Sequence, residues 1–235
     1  MIPLLVLVAC GSEYSPPDEM TADEIISGRK DNRHVAVGQI GSDWPPSWHC
    51  TGTLIAPNIV LTAAHCLYDE DNHRVPAARL LWGEDDAIYD VVSANTQRYS
   101  PGSRDAWNDI AILTLSEPSR TTPIPIATTV PRVDQRVTVV GFGVTRATGP
   151  HRGTGGGVRR SATITLDEVG AREVAYASDE HGACYGDSGG PLLARIGGKE
   201  QVVGVTSRGT AVDCLDVDIA TRVDAYATWI GRFLP

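Results

Sequence analysis

Gly186-Asp187-Ser188-Gly189-Gly190-Pro191 is the stretch from which the rest of the chain is read. A serine flanked by glycines sits on backbone that turns sharply and presents its hydroxyl, and neighbouring N–H groups can reach a developing oxyanion. A lone Gly-x-Ser-x-Gly is a common turn, but six consecutive residues of this kind are far more specific. A serine hydroxyl is a weak nucleophile and needs an adjacent base. Of six histidines, His65 lies in Thr62-Ala63-Ala64-His65-Cys66, just after an apolar segment. Alone it would read as a core imidazole. His34, His49, His73, His151 and His181 lie in polar or turn-rich contexts. The base needs an acid to orient it and hold its charge. Asp109 heads the apolar run Ile110-Ala111-Ile112-Leu113. A carboxylate buried there is costly without a partner, and a histidine would relieve that cost.

Taken in order, TAAHC, NDIAIL and GDSGGP resemble the chymotrypsin/trypsin-like serine endopeptidases, over residues 25–235. The stretches Val140-Gly141-Phe142-Gly143, Gly204-Val205-Thr206-Ser207 and Thr221-Arg222-Val223 add to the likeness. The resemblance implies an all-β fold of two six-stranded antiparallel β-barrels with a C-terminal helix and the site in the cleft between them. It implies Ser188 as nucleophile, His65 as base and Asp109 as its orienting acid. Gly186 and Ser188 would supply the oxyanion N–H groups. Gly182, Ala183, Ser207, Gly209 and Asp218 would line the substrate pocket. It also implies disulfides Cys50–Cys66 and Cys184–Cys214. An α/β-hydrolase esterase would need the order Ser, Asp, His and alternating strands and helices, and neither is present.

Composition agrees with a β-rich chain. The 235 residues are 42% hydrophobic, with 24 Gly and 15 Pro, which suits many tight turns. A net charge of −9 argues against nucleic acid as partner. Strands are expected at 34–40, 51–55, 59–62, 79–82, 89–92, 110–115, 137–140, 162–166 and 202–206, with Pro57-Asn58 as a turn. Residues 223–234 carry helical spacing, and the glycine-rich 149–157 reads as a mobile loop. The acidic groups Glu84-Asp85-Asp86 and Asp69-Glu70-Asp71 read as solvated loops, so neither a metal nor another cofactor is expected.

Residues 1–9, MIPLLVLVA, are apolar and uncharged, like the core of a secretory signal. The usual basic start is missing, which leaves room for a longer signal before Met1. Leu7-Val8-Ala9-Cys10 resembles the lipobox of bacterial lipoproteins, the other readings being an ordinary buried strand or a secretory signal with a chance Cys. Residues 10–24 would then be a lipid-anchor Cys and an acidic tether or propeptide. The expected location is the bacterial cell envelope, or the exterior after release. Five cysteines leave one unpaired, and Cys10 accounts for it. The other four fit two disulfides in an oxidising compartment, with three possible pairings.

Ile25-Ile26-Ser27-Gly28 resembles the family's mature start, whose freed amine pairs with the acid before the nucleophile, here Asp187. The preceding Glu24 implies a separate activating protease. Gly182 stands where trypsins carry a pocket Asp, and Asp218 stands where most members carry Gly. Asp218 therefore suggests a preference for Lys or Arg before the scissile bond. Asp216 could take its position in this short loop, and Arg208 could neutralise it, leaving a pocket for small or apolar residues. The expected partners are protein or peptide substrates met by a monomer. The rival reading is a non-catalytic protease-like domain that binds proteins.

Overall fold

The computed structural model describes residues 25, 28–43, 46–69, 71–74, 79–82, 87–101, 108–178 and 181–235. The expected signal, tether and lipid-anchor Cys10 fall on residues outside them, as does the 84–86 acidic run. After a two-residue strand β1 (Arg29–Lys30), six strands follow: β2 (Val37–Asp43), β3 (Pro46–Ala56), β4 (Ile59–Thr62), β5 (Arg79–Trp82), β6 (Ala87–Thr96) and β7 (Ala111–Leu115). They close into an antiparallel barrel in the order β2-β3-β4-β7-β6-β5. Closure leaves no free edge, and β4 is buried on both faces, which explains its unbroken apolar run.

The second half contains β8 (Arg136–Gly141), a β9 (Arg146–Gly149) and β10 (Arg152–Thr154) hairpin, β11 (Arg160–Thr165), β12 (Glu168–Val169), β13 (Glu173–Ala177), β14 (Pro191–Ile196), β15 (Lys199–Gly209) and β16 (Val217–Arg222). Its main sheet runs β1-β11-β8-β14-β15-β16-β13-β12. Six strands make its body, the two-residue strands β1 and β12 extend its ends, and β11 comes close to β13 as the sheet curls. The expected all-β, chymotrypsin-like fold is therefore present, with the first half a closed six-stranded barrel and the second an eight-stranded curled sheet in place of a second closed six-stranded barrel. The glycine-rich loop is instead largely the β9–β10 hairpin, turned by His151 at φ 56°.

Each half has its own core. Ile40, Leu54, Leu61 and Ile112 fill the first, and Val139, Leu166, Tyr176 and Leu192 the second. The C-terminus is a 3-10 turn (Asp224–Tyr226) running into one turn of helix α1 (Ala227–Ile230), shorter than the expected 223–234. Its Tyr226, Trp229 and Ile230 pack into the first core and tie the chain's end across the molecule. Burial of each such side chain contributes about 1.5–3 kcal/mol. Among the described residues, no helix is long and apolar enough to cross a membrane.

Candidate active site

Sheet register brings the chemistry together. Thr62 of β4 pairs with Ala111 of β7, so residues just past the end of one strand lie beside those just before the other. A 3-10 turn (Ala64–Leu67) carries His65 there, beside Asp109. The Asp109 carboxylate accepts the His65 backbone N–H at 2.9 Å and faces the ring Nδ1 at 2.7 Å. Ser207 Oγ donates to the same carboxylate at 2.6 Å, and Thr221 Oγ1 to the Asp109 carbonyl at 2.9 Å. Asp109 is 1% exposed. Burial alone would raise its pKa, but His65 and Ser207 together hold it below the ordinary carboxylate value. Burial likewise works against a charged His65, but the Asp109 charge and hydrogen bond outweigh it and hold the imidazole above its ordinary value.

The loop bearing Ser188 runs from β13 to β14 and is zipped onto β15, with Gly189 N–H donating to Thr206 and Thr206 N–H to Gly190. Thr51 joins it to the first barrel. Its N–H donates to the Ser188 carbonyl at 2.8 Å and its Oγ1 to the Gly186 carbonyl at 2.7 Å. Cys66 Sγ lies 3.9 Å from His65 Nε2 and 3.6 Å from the Ser188 carbonyl oxygen, so both residues border one sulfur. Among the described residues, no hydrogen bond joins Ser188 Oγ to His65 Nε2. Such contacts commonly close only with substrate bound. Gly186 sits at φ 103°, where a Cβ would come 3.0 Å from the Gly143 Cα. Among the described residues, the N–H groups of Gly186 and Ser188 have no protein acceptor.

Both expected disulfides are formed, Cys50–Cys66 beside His65 and Cys184–Cys214 beside the Ser188 loop. Asp187 is fully buried. Its carboxylate accepts N–H groups from Gly143 at 2.7 Å and Cys184 at 2.9 Å. Glycine is required at 141 and 143, because a Cβ there would come 2.1 and 2.3 Å from the Asp187 oxygens. Burial pushes Asp187 up to about 6 despite these two donors and the charge of Arg160. The Ile25 side chain is buried in the second core, and its nitrogen is a peptide nitrogen, so among the described residues no Ile25–Asp187 ion pair is formed.

The pocket residues separate. Asp218 is 3% exposed, with the Ala183 N–H donating to it at 2.7 Å. Asp216 is exposed and accepts from Thr210 Oγ1, so it does not take the pocket position. Arg208 grips Glu173 with both terminal nitrogens, at 2.7 and 3.1 Å, rather than Asp218. Ser207, expected in the pocket, spends its hydroxyl on Asp109. Thr51, Thr221 and Glu173 escape a sequence reading, because a strand Thr or Glu carries no local signal of a partner more than thirty residues away.

The trypsin family model matches residues 25–230. The chain belongs to the trypsin family. Its curated relatives include chymotrypsin-C of Mus musculus, 30% identical over 97% of this chain and 96% of that protein. They also include a trypsin of Phaedon cochleariae, 30% identical over 89% and 88%, and chymotrypsin-like elastase family member 1 of Macaca fascicularis, 28% identical over 90% of each. A mutant of human heparin binding protein (CAP37) shares the fold, with a TM-score of 0.72 at 22% identity over 87% of this chain and 94% of that one. These relatives are animal proteins. The trypsin family is a family of serine proteases, and the two disulfides of this chain are of the kind an oxidising compartment permits.

Proposed function

We propose that this trypsin-family chain is a serine endopeptidase in which Ser188 attacks the scissile carbonyl. His65 takes the serine proton and returns it to the leaving amine, while Asp109 fixes the tautomer and balances the imidazolium. The N–H groups of Gly186 and Ser188 stabilise the oxyanion. The acyl-enzyme is then hydrolysed by the same steps with water. The observation that carries this reading is the Asp109 carboxylate, held by His65 and Ser207 together and unable to be buried without them.

Asp218, buried beside Gly182 and Gly209, gives the substrate site a preference for Arg or Lys. A buried carboxylate meeting a cation gains more than an exposed pair does. Cleavage before Ile25 by another protease frees the amine for Asp187. Cys10 anchors the chain to a bacterial envelope through lipid; mass spectrometry of the exported protein should find acyl chains on its N-terminal peptide, and an unmodified peptide would refute the anchor. Substrates are proteins or peptides, and the chain acts as a monomer.

The test uses the full chain with an engineered protease site in place of residues 20–24, cut before Ile25. Peptide amides with Arg, Lys, Leu, Phe or Ala before the scissile bond are then assayed. Arg and Lys substrates should be cleaved fastest, and Ser188→Ala should abolish cleavage. A rival reading as a binding domain finds a parallel in the heparin-binding fold neighbour. The net charge of −9 opposes a polyanionic ligand, and the formed His65–Asp109 pair favours catalysis.

A further inference from the structure

Three consecutive peptide planes run from Tyr185 to Ser188, and each is held by its carbonyl. The Tyr185 carbonyl accepts the Val144 N–H at 2.9 Å, and the Asp187 carbonyl accepts the Gly190 N–H at 2.8 Å. A trans peptide is planar, so these bonds aim the opposite N–H groups, those of Gly186 and Ser188, the other way. Among the described residues neither N–H has a protein acceptor. The plane between them decides how the two donors converge. Its carbonyl belongs to Gly186, which sits at φ 103° with no Cβ to restrict it. The N–H of that plane, on Asp187, turns to the Cys184 carbonyl at 2.9 Å. Its carbonyl is held by a side chain from the other half of the molecule, Thr51 of β3, whose Oγ1 donates at 2.7 Å. Thr51 is buried, and its partners set the direction of its hydroxyl. An amide N–H only donates and a carbonyl only accepts, so the hydroxyl accepts from Phe142 at 3.2 Å and donates to Gly186. Phe142 lies two residues before Val144, so one hydroxyl links the nucleophile loop to the segment that holds its first plane. The Thr51 backbone is fixed as well, its N–H on the Ser188 carbonyl and its own carbonyl accepting from Thr62 Oγ1 at 2.9 Å. None of these bonds involves a charge or Ile25, so cleavage before Ile25 alters none of them directly.

Resting on the endopeptidase reading above, we propose that Thr51 is a positioning residue for the reaction. Its hydroxyl sets the Gly186 carbonyl, and with it the angle at which the Gly186 and Ser188 N–H groups meet the developing oxyanion. Thr51 acts through the backbone and not on the reacting atoms. Donors of this kind are effective because they are aligned before the charge forms, and loss of one outright lowers kcat about 10²–10³-fold. Loss of the Thr51 hydroxyl leaves both donors in place but unaligned, a smaller loss of about tenfold or more. The ground-state carbonyl makes less use of the donors than the oxyanion does, so substrate binding is spared.

The experiment uses the full chain cut before Ile25 as above, with whichever of the peptide amides it cleaves fastest, so the pocket's preference does not enter. Thr51→Val keeps the shape and removes the hydroxyl. It should lower kcat about tenfold or more with KM unchanged. Thr51→Ser keeps the hydroxyl and should restore kcat to within about threefold of the parent chain. A peptide aldehyde of the same sequence takes the Ser188 oxygen at its carbonyl carbon and offers the resulting oxygen to the N–H pair. Its inhibition constant should rise in Thr51→Val by the factor lost from kcat/KM. A merely structural role would lower the melting temperature and leave kcat and aldehyde affinity in place. An unchanged kcat, a lost kcat with full aldehyde affinity, or a Thr51→Ser variant as slow as Thr51→Val each overturns the assignment. If Thr51→Val does not fold, Thr51→Ala and Thr51→Ser differ by the one oxygen and give the same comparison. Absence of any cleavage by the parent chain overturns the catalytic reading beneath.

Discussion

Asp109 illustrates how much a single residue depends on distant chain. Its carboxylate holds the ring and backbone of His65, 44 residues away, and accepts from Ser207, 98 residues away. A hydrogen bond to a charged group contributes about 1.5–3 kcal/mol. Ser207→Ala should therefore lower kcat by about tenfold or more with KM little changed, as steady-state kinetics would show; an unchanged kcat would deny Ser207 this part. Because Asp109 holds His65 above its ordinary value of 6.5, the acid limb of kcat/KM should have its midpoint above pH 6.5. For stability the sign is opposite. The pair's contribution is complete below 6.5 and fades as pH rises through the folded value, so the base becomes active as the pair loosens.

At the level of elements, the segment entering β7 is clamped from the second half. Asn108 sits at φ 64°, and its Oδ1 accepts from Tyr226 Oη at 2.8 Å and from Arg172 Nη1 at 3.0 Å. This holds the residue before Asp109 against the C-terminal turn. Tyr226→Phe should cut kcat several-fold while KM holds, and Tyr226→Phe with Arg172→Met should cut it further. If both variants lose only melting temperature, the clamp is structural and does not position Asp109. The first barrel is legible in the sequence, because β4 and β7 are buried almost throughout and β3 alternates into an apolar core. Strands β13, β14 and β16 are not, for physical reasons. The polar Asp218 lies buried inside β16, where it interrupts the apolar pattern expected of a core strand. Pro191 opens β14, which looks like a turn signal although it occupies a first-strand position. Val174 and Tyr176 alternate correctly in β13, but over only five residues. The terminal helix was read too long, because its apolar spacing serves the crossing of Trp229 and Ile230 into the first core. The motifs around His65, Asp109 and Ser188 are legible in the sequence; Glu173, which pairs with Arg208, is not.

Across the whole molecule, the buried titratable groups fall into two sets with opposite pH behaviour. Asp109 and Asp31 lie below their ordinary values, so their stabilisation is present above about pH 4 and lost in acid. His34, with Asp31 Oδ2 at 2.5 Å and Glu200 Oε2 at 3.3 Å, lies above its ordinary value, as do His65, Asp187 and Asp218. These four bind more protons folded than unfolded, so the intact chain should lose stability from pH 5 to pH 8. For Asp187 the gap between 3.8 and about 6 corresponds to about 3 kcal/mol, the cost of keeping an ionised, unpaired carboxylate inside. That cost is absent below 3.8 and complete above about 6. Cleavage before Ile25 would place an ammonium on it and remove the cost only where Asp187 is ionised. The melting temperature of the cut chain should therefore exceed that of the intact chain by an amount that grows between pH 5 and pH 8, and activity should appear with the same cut. Curves separated by a constant gap, or coinciding, would mean that the new amine goes elsewhere and that Asp187 is stabilised by its two backbone donors alone.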